Sequence, residues 1–502
     1  MTPRLRSPGL YALTWILGSV VCAASGLVAT LVEAGEIIAI GPSVNVTVTD
    51  GDETVGHVAA QPGGDFTAVF ECRGGHCAES GTHEIVDGVR FDAGGARRNG
   101  RRNLSTTDRE EQLEPAICAD GAGNVVVALT CWGCVDRTTD SATLIRARRF
   151  DPTGSPLGPE FVVNNYQTGY QRNPDVGCAS DGSFVVVWAG EPDLPGALGP
   201  ADTSRAIFAR AYDPSGAARG TEFQINTQTG GSQRGPAVAV SEDASFAVVW
   251  HAILDEASGW DTFARVFAGD GTPSGEQFRV NSYTTGTQMR PALAAGVDGT
   301  FVVTWNEHDE GRGSNVVARR IGPNGPETEP ELRVNDSSNE PQFAPGIAAL
   351  PAGEFVVAWG AGGAYSTYDR IFVRLLDVDA VPTGAQVEVG ADASIDFSYG
   401  VPDVSASQDG RFVVVWTGYD IESHGILASR FSTTEIGPVC GDANDDTFIR
   451  SGDALHTLAA VVGLASCEPA SCDVDDSGIV SVADALRLLR FVIFDDVAID
   501  CP

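Results

Sequence analysis

Short apolar runs that close on an aromatic residue punctuate this chain at nearly even spacing. The clearest are Phe184-Val-Val-Val-Trp188, Phe246-Ala-Val-Val-Trp250, Phe301-Val-Val-Thr-Trp305, Phe355-Val-Val-Ala-Trp359 and Phe412-Val-Val-Val-Trp416. Two weaker copies, Phe66-Thr-Ala-Val-Phe70 and Val125-Val-Val-Ala-Leu129, precede them. The runs begin at 66, 125, 184, 246, 301, 355 and 412, so seven units follow one another at steps of 54 to 62 residues. Unbroken apolar runs of this length, rich in Val and bounded by turn residues, predict strands buried on both faces.

Each run keeps the same neighbours. An apolar stretch comes before it, as in Pro236-Ala-Val-Ala-Val240 and Pro291-Ala-Leu-Ala-Ala295, and a turn such as Asp181-Gly182, Asp298-Gly299 or Asp409-Gly410 joins the two. Such turns favour tight hairpins. A third segment follows, as in Ile207–Asp213, Phe263–Phe267 and Ile426–Phe431. A Pro/Gly turn then leads to a fourth, Glu222-Phe-Gln-Ile-Asn226 or Gln277-Phe-Arg-Val-Asn281. Four strands in each of seven units predict an all-β, seven-bladed β-propeller over residues 36–432. The seventh unit has no fourth strand of its own, and Ser43-Val-Asn45-Val, ahead of the first unit, matches the missing one. A ring must hide its edge strands, and one blade shared between both chain ends does so. The periodic Trp and Phe are expected in the blade cores.

The N-terminus and the cysteines set the compartment. Arg4 and Arg6 precede an uncharged stretch from Ser7 to Val32 that is rich in Leu, Val and Ala. This reads as a secretory signal over residues 1–34, cleaved after Ala34 or near Ala23 and Ala24. The run is also long enough to serve as an uncleaved anchor. Leaving out Cys22, ten cysteines remain: Cys72, Cys77, Cys118, Cys131, Cys134, Cys178, Cys440, Cys467, Cys472 and Cys501. An even count in an exported chain predicts disulfides. Cys72/Cys77 and Cys131/Cys134 form two close pairs, and a four-thiolate zinc site is the alternative there. All 32 basic residues are Arg, set against 67 acidic ones, for a net charge of −35. That balance argues against nucleic acid and anionic membranes as partners, and it suits calcium or neutral polymers.

The last sixty residues carry two matched acidic loops. The first is Asp442-Ala-Asn444-Asp-Asp446-Thr-Phe448-Ile-Arg-Ser-Gly-Asp453, and the second is Asp473-Val-Asp475-Asp-Ser477-Gly478-Ile479-Val-Ser-Val-Ala-Asp484. Oxygen side chains fall at loop positions 1, 3, 5 and 12, and position 7 offers a backbone carbonyl. A hard cation such as Ca²⁺ needs roughly six to eight oxygen ligands gathered by one tight loop. The pair resembles a dockerin, a small helical module with two EF-hand-like loops that docks onto cohesin domains. The resemblance covers residues 439–502, after a linker at 433–438. It implies two Ca²⁺ ions, one held by Asp442, Asn444, Asp446, Phe448 (carbonyl) and Asp453, the other by Asp473, Asp475, Ser477, Ile479 (carbonyl) and Asp484. It also implies a cohesin-like scaffold or surface protein as partner. Thr447 stands where Gly eases the turn, which weakens the first site. Ser451-Gly452 and Val482-Ala483 depart from the Ser/Thr pair that many dockerins present to cohesin. Cys440, Cys467, Cys472 and Cys501 bracket the loops, and three pairings among them are open.

One rim of the disc gathers polar loops. The loops from second to third strands carry Glu191, Asp193, His251, Asp255, Glu256, Trp260, Glu307, His308, Asp309, Glu310, Tyr419 and Asp420. The loops between units carry Asn165, Tyr166, Gln167, Gln171 and Arg172, then Asn226, Gln233 and Arg234, then Asn281, Tyr283, Gln288 and Arg290. Carboxylates, amides and aromatics together suit sugars, and the same Asn residues also suit turn caps. No G-x-S-x-G, H-E-x-x-H or phosphate loop is present, and no pair of acids stands out for catalysis. Two functional classes follow. One is an exported, non-catalytic propeller that binds a glycan or a protein. The other is an extracellular polysaccharide-degrading enzyme, a glycoside hydrolase or lyase, on the same tail.

Overall fold

In a computed structural model, Phe184–Gly190 is the second strand of a four-stranded antiparallel sheet. Its order is Gln171–Cys178, Phe184–Gly190, Ala206–Tyr212 and Phe223–Gln224. Six further sheets repeat this arrangement, with second strands Phe66–Arg73, Val125–Trp132, Phe246–Ile253, Phe301–Asp309, Phe355–Ala361 and Arg411–Tyr419. The seven sheets are the blades of a β-propeller, numbered here 1 to 7 in chain order. The structure describes residues 37–433 other than 42, 48–51, 74–83, 101, 106–110, 135–142, 168, 192–204, 229, 255–258, 310–312, 328–329, 337–339, 363–366, 369, 390–394, 397–401 and 420–423. The signal segment, the linker after Thr433 and the two acidic loops with their ten ligands lie outside the described residues.

Burial on both faces explains why the second strands read as unbroken apolar runs. Phe184, Val186 and Trp188 pack with Val126, Ala128 and Ile145 of blade 2. Val185 and Val187 turn the other way and meet Phe246, Val248 and Trp250 of blade 4. The five Trp side chains are 0–1% exposed, so they are core and not platforms for a ligand. The indole N–H needs an acceptor once buried. Gln171, Gln233, Gln288 and Gln342 accept from Trp188, Trp250, Trp305 and Trp359 at 3.0, 2.9, 3.0 and 2.7 Å. These glutamines are therefore spent inside their own blades, which corrects the expectation that Gln171, Gln233 and Gln288 serve the rim.

Asparagines close each unit in the same way. Asn164, Asn226, Asn281 and Asn335 are buried and accept the N–H of Ile145, Ile207, Thr262 and Val316 at 2.8–2.9 Å. Asn226 and Asn281 are thus turn caps, and their counterpart in blade 2 is Asn164, one residue before Asn165. Straps then join neighbouring blades. Glu222 accepts from the N–H groups of Asn165 and Tyr166, as Gln277 does from Thr227 and Gln228. Arg210, Arg265 and Arg374 donate to the carbonyls of Val163, Ile225 and Val334 at 2.8, 2.9 and 2.7 Å. A guanidinium offers several donors in a fixed fork, and each of these arginines spends others on Gly220, Gly275 or Gly384.

Disulfides reinforce the ring. Cys118–Cys178 links the inner strands of blades 2 and 3, and Cys131 pairs with Cys134. Cys72 is also disulfide-bonded. These bonds displace the zinc alternative, because a thiol in a disulfide is no metal ligand. The last blade takes both Ile38–Ala39 and Val44–Asn45 onto its third strand, with Val44 opposite Ala428 and Asn45 opposite Leu427.

Candidate binding site at the mouth of the central channel

The inner strands of the blades surround a channel whose cavity measures about 850 Å³. In blades 1 to 6 each inner strand breaks register at the same point, between Thr54/His57, Leu113/Ala116, Arg172/Asp175, Arg234/Ala237, Met289/Ala292 and Phe343/Gly346. At this bulge Glu114, Asn173, Gly235, Arg290 and Ala344 hold φ between +50° and +55°. A non-glycine residue in that left-handed region is strained, and bulges of this kind re-aim side chains. Proline follows each of the five, as Pro115, Pro174, Pro236, Pro291 and Pro345. It has no N–H to leave unpaired where the ladder is interrupted.

Register alignment defines one residue per blade just below the bulge. The positions opposite Val69, Ala128, Val187, Val249, Thr304, Ala358 and Val415 are His57, Ala116, Asp175, Ala237, Ala292, Gly346 and Asp403. Four blades place Ala or Gly there, which keeps the channel open. The other three place charge. His57 Nδ1 lies 3.4 Å from Asp403 Oδ2, and the imidazole is 30% exposed. Asp403 Oδ2 also accepts the N–H of Val58 at 2.9 Å, and Asp175 Oδ2 accepts that of Val238 at 2.7 Å. These two aspartates thus strap adjoining blades as well as facing the channel.

Above them stand Glu71 and Glu114. Glu71 is buried, accepts the N–H of Glu114 at 2.5 Å and pairs with Arg73 at 3.0 Å. Glu114 accepts from Thr130 Oγ1 at 2.8 Å and from the N–H of Asn173 at 2.7 Å. Burial sets the electrostatics. It pushes Asp175 up to about 6, against the N–H groups of Val238 and Val176 and the charge of His57. It raises Glu71 too, against the Glu114 N–H and Arg73. For His57 burial pulls downward, and the hydrogen bond and charge of Asp403, with Asp175 and Glu71, outweigh it, so the imidazole titrates above its usual value. A carboxyl group that titrates near 6, close to an imidazole whose own value is raised, is equipped for proton transfer or for hydrogen bonds to sugar hydroxyls.

The opposite side of the mouth, over blades 3 to 5, is basic. Arg172 and Arg234 occupy equivalent register positions, opposite Ala189 and His251. Arg172 lies over the Trp132 ring at 5.0 Å and Arg234 over the Trp260 ring at 5.4 Å. Arg290 and His251 line the cavity, and the His251 ring meets Trp260 edge-on at 5.0 Å. Burial, with Arg290 and Arg234 adding, lowers His251 to about 3, so the imidazole is neutral.

The rim residues expected from the sequence divide accordingly. His251, Trp260, Arg172, Arg234 and Arg290 are at the mouth. Asn165, Tyr166 and Tyr283 are engaged in blade straps, Tyr283 through its N–H to Glu331 at 3.1 Å. Glu307 is buried in blade 5, and His308 and Asp309 end the same strand opposite Ser314 and Gly313. Glu191 follows the second strand of blade 3, and Gln167 is exposed. Asp193, Asp255, Glu256, Glu310 and Asp420 lie outside the described residues, as does the side chain of Tyr419. His57, Glu71, Glu114, Asp175 and Asp403 escaped sequence reasoning. Aligning the units on the second strand would have exposed His57, Asp175 and Asp403, as the charged outliers in a column of Ala and Gly. Among the described residues no cluster of His, Cys, Asp and Glu suits a metal ion.

No family model matches the chain, and no curated protein matches it. Solved structures do. The α-L-arabinofuranosidase of Fusarium graminearum in complex with arabinobiose matches over 80% of this chain and 99% of its own, at 9% identity and TM-score 0.45. An α-L-arabinanase of Penicillium chrysogenum matches over 65% and 94%, at 14% identity and TM-score 0.44. The polysaccharide lyase Uly1 matches over 78% and 99%, at 8% identity and TM-score 0.44. At these identities the likeness assigns no activity.

Proposed function

We propose that this is an extracellular carbohydrate-binding propeller that takes a sugar chain at the upper mouth of its channel. One observation carries the reading: in a ring whose Gln, Asn and Arg side chains are largely spent on internal straps, charged groups crowd one end of the channel. Concave sites with few convergent polar groups and shifted pKa values are where ligands bind. Titration of the full-length protein against a polysaccharide panel by calorimetry tests it. His57→Ala and Asp175→Asn are each expected to weaken binding at least about tenfold. Unchanged affinity in both variants would move the site elsewhere.

A second reading, cleavage of the bound chain, draws on Asp175 alone. A general acid must hold a proton at the working pH, and a carboxyl at about 6 does so in mildly acidic solution. If the chain is cut, Asp175→Asn is expected to slow turnover by about 10²–10⁴. Product analysis showing no new chain ends sinks this second reading and leaves the first intact.

The tail supplies placement in this proposal. Two Ca²⁺ ions held by the Asp442 to Asp453 and Asp473 to Asp484 loops would fold a dockerin-like module, and a cohesin-like partner would then hold the propeller on a scaffold or surface. Calcium at a hundredfold excess over its dissociation constant is expected to stabilise the module by about 2.7 kcal/mol, and EDTA to reverse this. Calorimetry on the full chain that finds no calcium-dependent transition removes the dockerin reading.

A further inference from the structure

We infer that the ligand is acidic: the half of the mouth over blades 3 to 5 is an anion-binding surface for the carboxylate or sulfate groups of a glycan. This rests on the carbohydrate reading above and adds the substrate class. Four guanidinium groups carry it, those of Arg172, Arg205, Arg234 and Arg290. The chain has 67 acidic residues for 32 arginines, so an arginine placed without regard to function finds a carboxylate easily. Elsewhere in the ring several do, and others such as Arg210 and Arg265 are spent on backbone carbonyls. Arg320 pairs with Asp298, Glu327 and Asp379, Arg370 with Glu340 and Glu388, and Arg146 with Glu160. Among the described residues the four at the mouth pair with no carboxylate at all.

They also stand close together. Arg172 and Arg234 share a register position on adjacent blades, and Arg290 sits one position further along the next inner strand. Arg205 opens the third strand of blade 3, and its carbonyl accepts the N–H of Gln233, the residue before Arg234. After burial, the charges of Arg234 and Arg172 are what depress Arg205. Glu191 and Glu114 offset this only from a distance, with no ion pair to any of the four among the described residues; like charges so gathered repel one another, and an anion relieves this.

The geometry is set before any ligand arrives. Arg172 rests over Trp132, which is itself braced by Tyr170 at 5.7 Å, and Arg234 rests over Trp260. Arg234 donates Nε–H to Ser232 Oγ at 2.9 Å, which fixes the plane further. A stacked guanidinium keeps its remaining in-plane N–H edge for a carboxylate or sulfate, and that fork is the arrangement suited to both. His251 adds a neutral imidazole whose Nδ1 is buried and has no hydrogen-bond partner among the described residues. Gly235 leaves that ring its space, since a Cβ there would come within 2.6 Å of His251 Cε1. Across the mouth Glu71 and Asp403 repel an anion, and Glu114 and Asp175 bound the basic half where blade 2 meets blade 3. An acidic sugar is thereby oriented with its charged group toward Arg234 and Arg290 and its hydroxyls toward the carboxylates. The overall charge of −35 points to neutral polymers, but the local field at the mouth has the opposite sign.

The test compares the full-length protein with an Arg234→Gln/Arg290→Gln double variant. The probes are polygalacturonate, a sulfated galactan and a neutral galactan, titrated by calorimetry. At least one acidic polymer is expected to bind about tenfold or more tighter than the neutral one, and the double variant to lose about tenfold or more of that affinity. The uronate and sulfate arms tell which anion is read. The variant's thermal unfolding is expected to stay level or rise, because removing two like charges relieves repulsion. Preference for the neutral polymer, or equal binding of an acidic one by the variant, overturns the inference and leaves the carbohydrate reading standing. Binding of none of the three sinks both.

Discussion

Replacing Trp305 by alanine is expected to destabilise the propeller by about 3–5 kcal/mol, the range for a buried aromatic truncated to a methyl group. The ring lies at 0% exposure between blades 4 and 5, against Val249, Ala264 and Val303. Its removal leaves a cavity that neighbouring strands cannot collapse into, because each is held by ladders on both sides. It also leaves Gln288 Oε1 without the N–H that it accepts at 3.0 Å. Gln288→Leu isolates that second part, and an orphaned buried donor costs about 1–3 kcal/mol. Blade 7 is an internal control, since Trp416 Nε1 has no hydrogen-bond partner among the described residues and Trp416→Ala carries only the cavity cost. Urea unfolding midpoints would read all three. A loss below about 1 kcal/mol for Trp305→Ala would contradict the packing described.

Between about pH 4 and pH 7 the ring is expected to lose stability as the pH rises. Asp175 has its folded value raised from 3.8 to about 6. In that interval the native carboxyl holds a proton that the unfolded chain has released. Its contribution is therefore fully present below 3.8 and lost as the pH climbs through about 6, some 3 kcal/mol for a shift of this size. His57 acts in the same direction, because its folded value is also raised. The stabilisation from Asp403 is present below 6.5 and lost as the pH rises through the folded value. At the acid end the order reverses. Asp181, Asp243 and Asp298 are held below the usual carboxylate range by hydrogen bonds from Ser183, from Ser241 and Ser245, and from Thr300. What they contribute is lost as the pH falls through their lowered values. Unfolding midpoints of the wild type and of Asp175→Asn/His57→Gln at about pH 4.5 and about pH 7.5 would separate these terms. An identical pH slope in both proteins would show that the channel residues are not its source.

The ring was legible in the sequence because its strongest signal is physical and periodic. A second strand buried on both faces has to be apolar at every position, so Phe184–Trp188 and its copies stand out from any half-exposed strand. The shared last blade was legible for a related reason, since Val44 and Asn45 repeat the pattern of outer strands such as Phe278–Arg279. The acidic half of the mouth was not. Most of its residues lie on inner strands, where Ala, Gly and Pro carry little pattern, and the bulge shifts each side chain off the simple alternation that strand reading assumes. Amides misled in the other direction. Gln171, Gln233 and Gln288 recur beside the rim and look like ligand-binding groups, but their regularity comes from the indole at a constant distance of seventeen residues. A catalytic or binding group belongs to one blade, and a group repeated in every blade is usually serving the blade. Arg172, Arg234 and Arg290 were visible in the sequence, yet only the structure shows that, among the described residues, they neither pair with a carboxylate nor reach a backbone carbonyl as the strapping arginines do.

The last blade has a kinetic meaning as well. Ser43 Oγ and Ser429 Oγ meet at 2.6 Å although 386 residues separate them along the chain. Until the end of the chain has emerged, the opening strands at 38–45 have no partner, and the first blade has no neighbour on one side. Every partial chain therefore presents two raw edges, and edges of that kind invite pairing with other molecules. Contacts so distant in sequence also make the final step slow. The vulnerable period in this protein's life is the interval before its first strand finds its last, so dilution or a chaperone at that moment should govern yield more than any single interaction in the finished ring.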